Sequence, residues 1–420
     1  MSTLARAAYT LVIWLVLPFA LLRLYWRARR EPRYRQHIGE RFGIHTQPVD
    51  RPVIWVHAVS VGEARASLPL ARALLAQHPE AVLLATCMTA AGREALEQAW
   101  GKEARIAWLP WDTPSAVRRF LAFFRPRLAV LMETEVWFNL VAGCRRLGVP
   151  LALANARMSE ESAQGYARLR ALGRPAFAAL DAVCAQSEAD ARRLRELGAL
   201  SVAVSGNLKF DLLPDPVKAA EGARLKLSLG GRPVLLVASS REGEEVVLLD
   251  ALGKRAAKEH LLVIVPRHPR RFDEVADLVT RRGLALARRS AVGEGFAQTE
   301  VLLGDTMGEM ALYFALADVV VMGGSVLEYG SQNLIEPLAQ GVPVVLGPSD
   351  YNFSEASRAA REAGCAIQAG DATGVMNAAL SLLSDEPRRG QMGQAGIALC
   401  AAHRGATARQ AEIISALYRG

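Results

Sequence analysis

Carboxylate-bearing loops follow two apolar runs in the first half of the chain. Glu63 comes after the run Val53 to Val56, in the segment HAVSVGEARA, and Glu133 and Glu135 follow the run Leu128 to Met132, in the segment ETEVWFN. A carboxyl group buried in a cleft has a raised pKa and can serve as a general base. Structural roles fit the same residues, because Glu63 would lie in the first turn of a helix and interact with its dipole. Glu133 could equally form an ion pair with an arginine.

Further polar loops, several of them rich in glycine, occur in the second half of the chain. They are SSREGEE at 239–245, PRHPRR at 266–271 and GDTMGEM at 304–310. The guanidinium of Arg267 could bind a phosphate through two N–H groups, or it could pair with Asp305 or Glu309. His57 and His268 also follow apolar runs, and each is first interpreted as an ordinary hydrogen-bonding histidine.

The stretch from Val319 to Asn352 has the pattern strand, glycine-containing loop, helix, strand. If the sheet is parallel, backbone N–H groups at the helix start near Asn333 point into the crevice where a phosphate can bind. Glu336 would then be placed to accept hydrogen bonds from a ribose. Alternatively, Asn333 is a helix cap and Glu336 is its partner three residues later. The pattern alone does not decide between these two interpretations.

Several classes of protein are not indicated by the sequence. It contains no GxSxG, no P-loop GKS or GKT and no HExxH, which argues against a serine hydrolase, a P-loop NTPase and a zincin. The five cysteines are scattered, without a CxxC pair, so neither a disulfide framework nor a zinc site is predicted. We expect reduced thiols, no metal and no cofactor.

Apolar runs alternate with amphipathic stretches from Pro52 onward, which predicts βαβ units and mostly parallel sheets. The 420 residues are too many for one core. Two Rossmann-like domains facing each other across a cleft are therefore expected, joined near residues 206–218. The predicted boundaries are an anchor at 1–43, a first domain at 44–206, a second domain at 207–390, and a C-terminal helical stretch at 391–420 that returns to the first domain. The predicted strands are Val53–Val56, Ala81–Thr86, Ile106–Leu109, Leu128–Met132, Pro150–Ala154, Ala182–Ala185, Val202–Ser205, Val234–Ala238, Leu261–Val265, Val301–Leu303, Val319–Met322 and Val342–Leu346.

The N-terminal segment from Ala7 to Leu22 is uncharged and apolar, slightly shorter than the ~20 residues that span a bilayer comfortably. A cleaved signal peptide is the alternative, but no small-residue cleavage site follows and the flank is strongly basic. The net charge of +8 owes much to this flank, and an aromatic-interleaved basic strand typical of nucleic-acid binding is missing. A membrane anchor with a cytoplasmic body is predicted by the positive-inside rule. The flanking arginines are Arg23, Arg27, Arg29, Arg30, Arg33, Arg35 and Arg41.

Nine segments, in this order and spacing, resemble the 3-deoxy-D-manno-octulosonic acid (Kdo) transferases, glycosyltransferase family 30, and the resemblance covers nearly the whole chain. The segments are RYRQHIGERFG, IWVHAVSVGE, WLPWDTP, METEVWFN, NARMS, GNLKFD, VPRHPRRF, GDTMGEM and SQNLIEPLAQGVPVVLGP. This family implies a GT-B fold, with inverting transfer of Kdo from CMP-Kdo to the lipid A precursor lipid IVA. It also implies an inner-membrane location with the catalytic body on the cytoplasmic face. An oligomer is not predicted.

The resemblance assigns roles to individual residues. Glu63 corresponds to the family's proposed general base, and Glu133 to the other important carboxylate. CMP contacts are implied at Pro266, Arg267, Met307, Gly308, Glu309, Asn333, Leu334, Ile335 and Glu336. Candidate contacts to the donor sugar are Ser239, Ser240, Arg241 and Lys209, with the two cations facing the Kdo carboxylate. Because CMP-Kdo carries a single phosphate, Arg267 and a helix start could suffice without a metal.

The sequence departs from the common family pattern at a few positions. Gln332 and Arg241 stand where histidine is usual, and ETEVWFN replaces ETELWPN. Two other functions stay open at this stage. One is a GT-B enzyme that transfers a UDP-linked sugar to a different lipid, and the other is a membrane-tethered, non-catalytic nucleotide-sugar-binding module.

Overall fold

The computed structural model describes residues 3–29, 31–253, 259–291 and 299–418, so Arg30 lies outside the described residues. The chain divides into two compact units. Unit 1 comprises Met1–Asp211 and Arg404–Gly420, and unit 2 comprises Leu212–His403. The boundaries expected from the sequence, at 206/207 and 390/391, compare with 211/212 and 403/404 in this division.

Unit 1 contains a seven-stranded, entirely parallel sheet in the order β3-β2-β1-β4-β5-β6-β7. Most of its strand residues are buried, because helices cover both faces of a parallel sheet. The strand order reverses between β1 and β4, and ligands bind at such reversals in doubly wound sheets. The strands are β1 Val53–His57, β2 Val82–Cys87, β3 Ala104–Trp108, β4 Leu128–Met132, β5 Leu151–Ala156, β6 Ala182–Ala185 and β7 Val202–Val204.

The first helix of unit 1 differs from the others because most of its apolar side chains are exposed. Residues Leu4–Arg27 are long and apolar enough to cross a membrane, which indicates membrane association. The helices are α1 Thr3–Arg27, α2 Val61–Gln77, α3 Ala90–Trp100, α4 Pro114–Phe124, α5 Phe138–Leu147, α6 Glu160–Arg168, α7 Arg170–Phe177 and α8 Glu188–Glu196.

Unit 2 contains a second parallel, seven-stranded sheet, in the order β10-β11-β9-β8-β12-β13-β14. Its strand order reverses between β8 and β12. The strands are β8 Val234–Ser240, β9 Leu261–Pro266, β10 Leu286–Arg288, β11 Val301–Leu303, β12 Val319–Met322, β13 Val344–Leu346 and β14 Ala366–Gln368. The helices are α9 Pro216–Ser228, α10 Glu244–Leu252, α11 Phe272–Arg281, α12 Met310–Leu316, α13 Ile335–Ala339, α14 Ser354–Glu362, α15 Ala372–Ser384 and α16 Glu386–Ala402.

The last helix, α17 Ala406–Ser415, belongs to unit 1 and packs against α2. Asp211 accepts the Gly405 and Thr407 N–H groups at 2.7 and 2.6 Å, which satisfies donors at the start of α17. Gln410 is fully buried and accepts the Asn155 N–H at 2.9 Å. The predicted fold class, two parallel Rossmann-like α/β units with an N-terminal apolar helix, is confirmed.

Candidate active site

Glu63 lies at the start of α2, just beyond the carboxyl end of β1. Its Oε2 accepts the Val59 N–H at 2.8 Å and its Oε1 accepts the Ser60 hydroxyl at 3.1 Å, while Ser60 Oγ accepts the Glu63 N–H at 3.3 Å. These reciprocal bonds resemble a capping box, in which an N-cap serine and the third helical residue satisfy backbone donors. The carboxylate therefore stabilises the helix start and is half-buried at the point where the strand order reverses.

The environment of Glu63 changes its acidity. Burial raises the pKa of Glu63 to about 7, and the nearby charge of Glu133 adds to this effect. The hydrogen bonds from Val59 and Ser60 act in the opposite direction, because they stabilise the charged form. A carboxyl group with this pKa exchanges its proton near neutral pH, as a general base must.

Glu133 follows β4, the strand next to β1, and its backbone has a φ of 57°. Left-handed backbone costs a non-glycine residue about 1–2 kcal/mol, so this turn is held by its surroundings. The Lys209 ammonium lies 2.9 Å from Glu133 Oε1, and both side chains are only about 15% exposed or less. Burial alone would raise the pKa of Glu133, but the charge and hydrogen bond of Lys209, and the charge of Arg157, bring it below its usual value.

Glu135 is the third carboxylate at this edge of the sheet. Trp137 donates its indole N–H to Glu135 Oε2 at 2.8 Å, and burial raises the pKa of this carboxyl group. His57, at the end of β1, is fully buried with Nδ1 2.9 Å from Thr86 Oγ1. Because burial lowers the pKa of His57 to about 4, this histidine is neutral near pH 7. The strand reversal thus brings together three carboxylates and one lysine.

In unit 2, the loops after β8 and β12 are joined by Glu244, which is fully buried. Its carboxylate accepts backbone N–H groups from Arg241 at 2.8 Å, Gly324 at 2.7 Å and Val326 at 3.0 Å. Burial raises the pKa of Glu244, and the backbone N–H groups oppose that rise. The motif SSREGEE was recognised in the sequence, but this organising role of Glu244 was not predicted, since Gly324 and Val326 lie about 80 residues further along the chain.

The four candidate donor-sugar contacts lie in different surroundings. Ser239 has a φ of 57°. Ser240 is fully buried and donates its hydroxyl to Glu245 Oε1 at 2.6 Å, so the expectation that it contacts a sugar is not supported. The Arg241 guanidinium lies 4.4 Å from the centre of the Tyr329 ring and pairs with Glu242. The fourth, Lys209, is the partner of Glu133 in unit 1.

The residues implied to contact CMP after β9 and β11 lie in two loops of unit 2. Pro266 ends β9, and the Arg267 N–H donates to Ser240 O at 2.9 Å, which places this loop beside the end of β8. Met307 is 64% exposed. Gly308 has a φ of 81°, a conformation that favours glycine. Between β11 and α12, the chain therefore offers accessible backbone.

The Glu309 carboxylate is held by cations that sequence reasoning did not find. Lys218 Nζ lies 2.9 Å away, on α9, and Arg289 lies 3.3 Å away, after β10. Burial would raise the pKa of Glu309, but hydrogen bonds from Thr306 and Lys218 and the charge of Arg289 lower it. The sequence suggested Arg267 as a possible partner of Glu309, and the structure shows Lys218 and Arg289 beside it. These two cations are far from Glu309 along the chain, so no local spacing predicts their contact with it.

Asn333 and Glu336 interact with each other, as the capping interpretation expects, but the N-cap of α13 is Leu334, which makes no side-chain cap bond. Asn333 Oδ1 accepts the Ile335 N–H at 3.1 Å, and its Nδ2 donates to Glu336 Oε1 at 2.8 Å. The side chains of Leu334 and Ile335 are buried in the core, so only their backbone atoms could contact a ligand. The helix that follows, α13, is only five residues long.

Within the described ranges, no group of three or more His, Cys, Asp or Glu side chains is arranged to hold a metal. All five cysteines are buried and free.

The two parallel seven-stranded units, with polar loops at their strand reversals, give this chain the architecture of the GT-B fold class. Its fold is similar to that of Anabaena Alr3699/HepE, solved in complex with UDP and glucose, with a TM-score of 0.60 and 14% identity over 87% of this chain and 99% of that one. A glycosyltransferase from Rickettsia africae gives the same TM-score at 12% identity, covering 89% of this chain and 100% of that one.

Sequence relationships narrow this class to one family. Residues 36–212 match the family model described as 3-deoxy-D-manno-octulosonic-acid transferase (kdotransferase). The chain is 43% identical to the 3-deoxy-D-manno-octulosonic acid transferase of Bordetella pertussis, over 97% of this chain and 98% of that protein. It is 32% identical to the Haemophilus influenzae enzyme of the same name, with the same coverage. The chain therefore belongs to the 3-deoxy-D-manno-octulosonic acid transferase family.

Proposed function

We propose that this protein transfers Kdo from CMP-Kdo to lipid IVA with inversion at the anomeric carbon. The observation that carries the proposal is the Glu63 carboxyl group, whose pKa is raised to about 7 at the strand reversal of unit 1, in a chain that belongs to this family. In this reaction the acceptor hydroxyl oxygen bonds to the anomeric carbon while the bond from that carbon to the phosphate oxygen breaks. Glu63 takes the hydroxyl proton, and CMP leaves.

Glu133 has a different part in this proposal, because its ion pair with Lys209 keeps it charged. It raises the pKa of Glu63 through its negative charge and fixes the position of Lys209. Lys209 and Arg241 are proposed to face the Kdo carboxylate, with Ser239 as a further sugar contact. Both cations already have a partner, and so each would share its charge between that partner and the donor.

The proposed CMP site lies in unit 2. Pro266 and Arg267, and the backbone of Met307 and Gly308, would contact the nucleotide and its phosphate. The backbone N–H groups of Asn333 and Leu334 would help to neutralise the leaving phosphate, while Ile335, whose N–H is donated to Asn333 Oδ1, would line the site with its backbone. Glu309 and Glu336 would hold these loops in place, since each carboxylate is already bonded to neighbouring protein groups. Glu336 can still accept from a ribose hydroxyl, because carboxylate oxygens accept more than one bond.

The membrane position follows from α1 and the arginines after it. We propose that α1 is an inner-membrane anchor and that the body lies on the cytoplasmic face, since arginine-rich flanks favour that side. The arginines would also attract the anionic acceptor and anionic lipids. An anchored enzyme of this kind meets an acceptor that does not leave the bilayer.

The proposal is tested by incubating the protein with CMP-Kdo, generated in place, and lipid IVA, and weighing the lipid product. A mass increase of one or more Kdo units is expected. CMP should also protect the protein against heat unfolding, whereas UDP at the same concentration should not. Protection by UDP alone, together with no Kdo product, would favour the enzyme that transfers a UDP-linked sugar.

Transfer should depend on pH through Glu63. Because a general base acts in its deprotonated form, kcat/KM is expected to rise with pH about tenfold per unit below about 7 and to level off above it. Glu133→Gln removes a negative charge near Glu63, so the pKa of Glu63 should fall and the rising limb should move to lower pH. The measurement is the pH dependence of kcat/KM for the Glu133→Gln variant. A rising limb at the same pH as in the wild type, or at a higher pH, would contradict the prediction.

A further inference from the structure

A groove of about 110 Å³ lies within unit 1, between α1 and the loops that follow β2, β3 and β4. One wall is a single face of α1, formed by Ile13, Val16, Leu17 and Ala20 at helical spacing. The opposite wall includes the indole rings of Trp111 and Trp137. Apolar cavities of similar size, about 150 Å³, stay dry and bind small apolar molecules.

Hydrogen bonds hold the α1 wall in place. The Tyr9 hydroxyl donates to Asp112 Oδ2 at 2.8 Å, and Asn139 Nδ2 donates to Thr10 Oγ1 at 3.2 Å. Asp112 also accepts the backbone N–H groups of Asn139 and Leu140 at the start of α5. Asp112 lines the groove, but both oxygens of its carboxylate already accept hydrogen bonds from protein groups. The other residues that line the groove are apolar or aromatic.

The groove is continuous with the exposed apolar surface of α1, which is the surface proposed to lie in the membrane. On α1, the side chains of Leu11, Leu15 and Phe19 are 61–71% exposed, as expected for a helix surrounded by lipid. Because Val16 both lines the groove and is 51% exposed, the groove opens onto this exposed apolar surface. An occupant that enters from this side is therefore a hydrocarbon chain rather than a soluble peptide.

The far wall of the groove belongs to the candidate active site. Trp137 donates its indole N–H to Glu135, two residues after Glu133. We propose that the groove holds one fatty acyl chain of the lipid acceptor and thereby anchors the acceptor beside the loops that carry Glu63 and Glu133. This inference rests on the proposed function, because it takes the acceptor to be an acylated lipid.

The test fills the groove without changing the polarity of α1. Ala20→Phe places a ring in the groove, and the matched control, Val12→Phe, places the same ring on the helix surface, where Val12 is 54% exposed and does not line the groove. Each variant is assayed with lipid IVA and with the same molecule stripped of its acyl chains. Ala20→Phe should lower the ratio of kcat/KM for lipid IVA to that for the stripped acceptor by about tenfold, the equivalent of losing about two buried methylene groups. Val12→Phe should leave this ratio unchanged.

Binding without donor supplies a second measurement. The affinity for lipid IVA in detergent, followed by tryptophan fluorescence, should fall about tenfold in Ala20→Phe relative to Val12→Phe. Equal affinity and an equal ratio in the two variants would overturn the proposal. So would an equal fall for both acceptors, which would mean that bulk membrane lipid fills the groove. If wild-type protein binds lipid IVA through the groove but yields no Kdo product, the proposed reaction fails while the groove assignment stands.

Discussion

Glu63→Gln is expected to lower kcat for Kdo transfer by about 10²–10⁴-fold, the contribution typical of a positioned general base. Glutamine keeps a carbonyl oxygen that can accept the Val59 N–H, so the start of α2 should stay folded. It cannot accept a proton near pH 7, and so the acceptor hydroxyl would have to attack without losing its proton to the protein. CMP affinity should not change, because the proposed nucleotide contacts lie in unit 2.

The control for this prediction is Glu135→Gln, which changes a carboxyl group in the same cluster but one without a proposed proton-transfer role. We expect a loss of less than tenfold, arising from a lower pKa of Glu63. Single-turnover transfer and CMP-dependent heat protection are measured for both variants. If Glu63→Gln kept more than about a tenth of the wild-type kcat, the base would have to be another group. A wild-type protein that binds CMP-Kdo yet never transfers would instead favour the non-catalytic module.

The buried strands were the part of the fold that the sequence predicted best. Leu128–Met132, Ala182–Ala185, Val301–Leu303 and Val319–Met322 were predicted with the observed bounds. A strand buried on both faces needs an uninterrupted apolar run, and such a run is visible without knowledge of its partners. The strands β10 and β14 were missed, because their three residues, LAR and AIQ, each include a polar side chain, whereas the equally short edge strand β7, VAV, is a wholly apolar run.

Local spacing also predicted part of the candidate site. The three-residue separation of Asn333 and Glu336 at a helix start predicted that they interact, and their side chains are hydrogen-bonded, although the N-cap of the helix is Leu334. The pairing of Glu133 was only half predicted. An ion pair with an arginine was considered, and the charge of Arg157 does lower the pKa of Glu133, but the observed ion pair is with Lys209, 76 residues further along the chain. No periodicity within either segment encodes a contact between segments that far apart.

The left-handed backbone at Glu133 and Ser239 likewise left no signal in the sequence. Glycine or asparagine would have marked such positions, because they adopt this conformation at low cost. The protein instead places a chemically useful side chain there and stabilises the turn through its neighbours, as is common at functional sites. Residue type alone therefore reveals the carboxylate but not the conformation that presents it.

Glu244→Gln should destabilise unit 2 by about 2–4 kcal/mol, the expected cost when buried groups lose hydrogen bonds to a charged partner. Oε1 accepts the N–H groups of Val326 and Leu327, and Oε2 accepts those of Gly324 and Arg241. Glutamine has one acceptor oxygen, and its NH₂ group would face two backbone N–H donors, one buried and one partly buried. The loops after β8 and β12 should loosen, so CMP protection should weaken together with the midpoint of urea unfolding.

Glu242→Gln provides the matched comparison for this last prediction, since it makes the same change two residues earlier, in the loop that leads into α10. The Glu242 side chain is 38% exposed and pairs with Arg241 and Arg270 at the surface. Partly exposed ion pairs contribute about 0–1 kcal/mol, so this variant should unfold close to wild type. Urea unfolding of both variants is measured with and without CMP. Glu244→Gln should have the lower midpoint and the smaller increase on adding CMP. Similar midpoints for the two variants would mean that Glu244 does not hold the loops, and that the donor site of unit 2 is organised by other contacts.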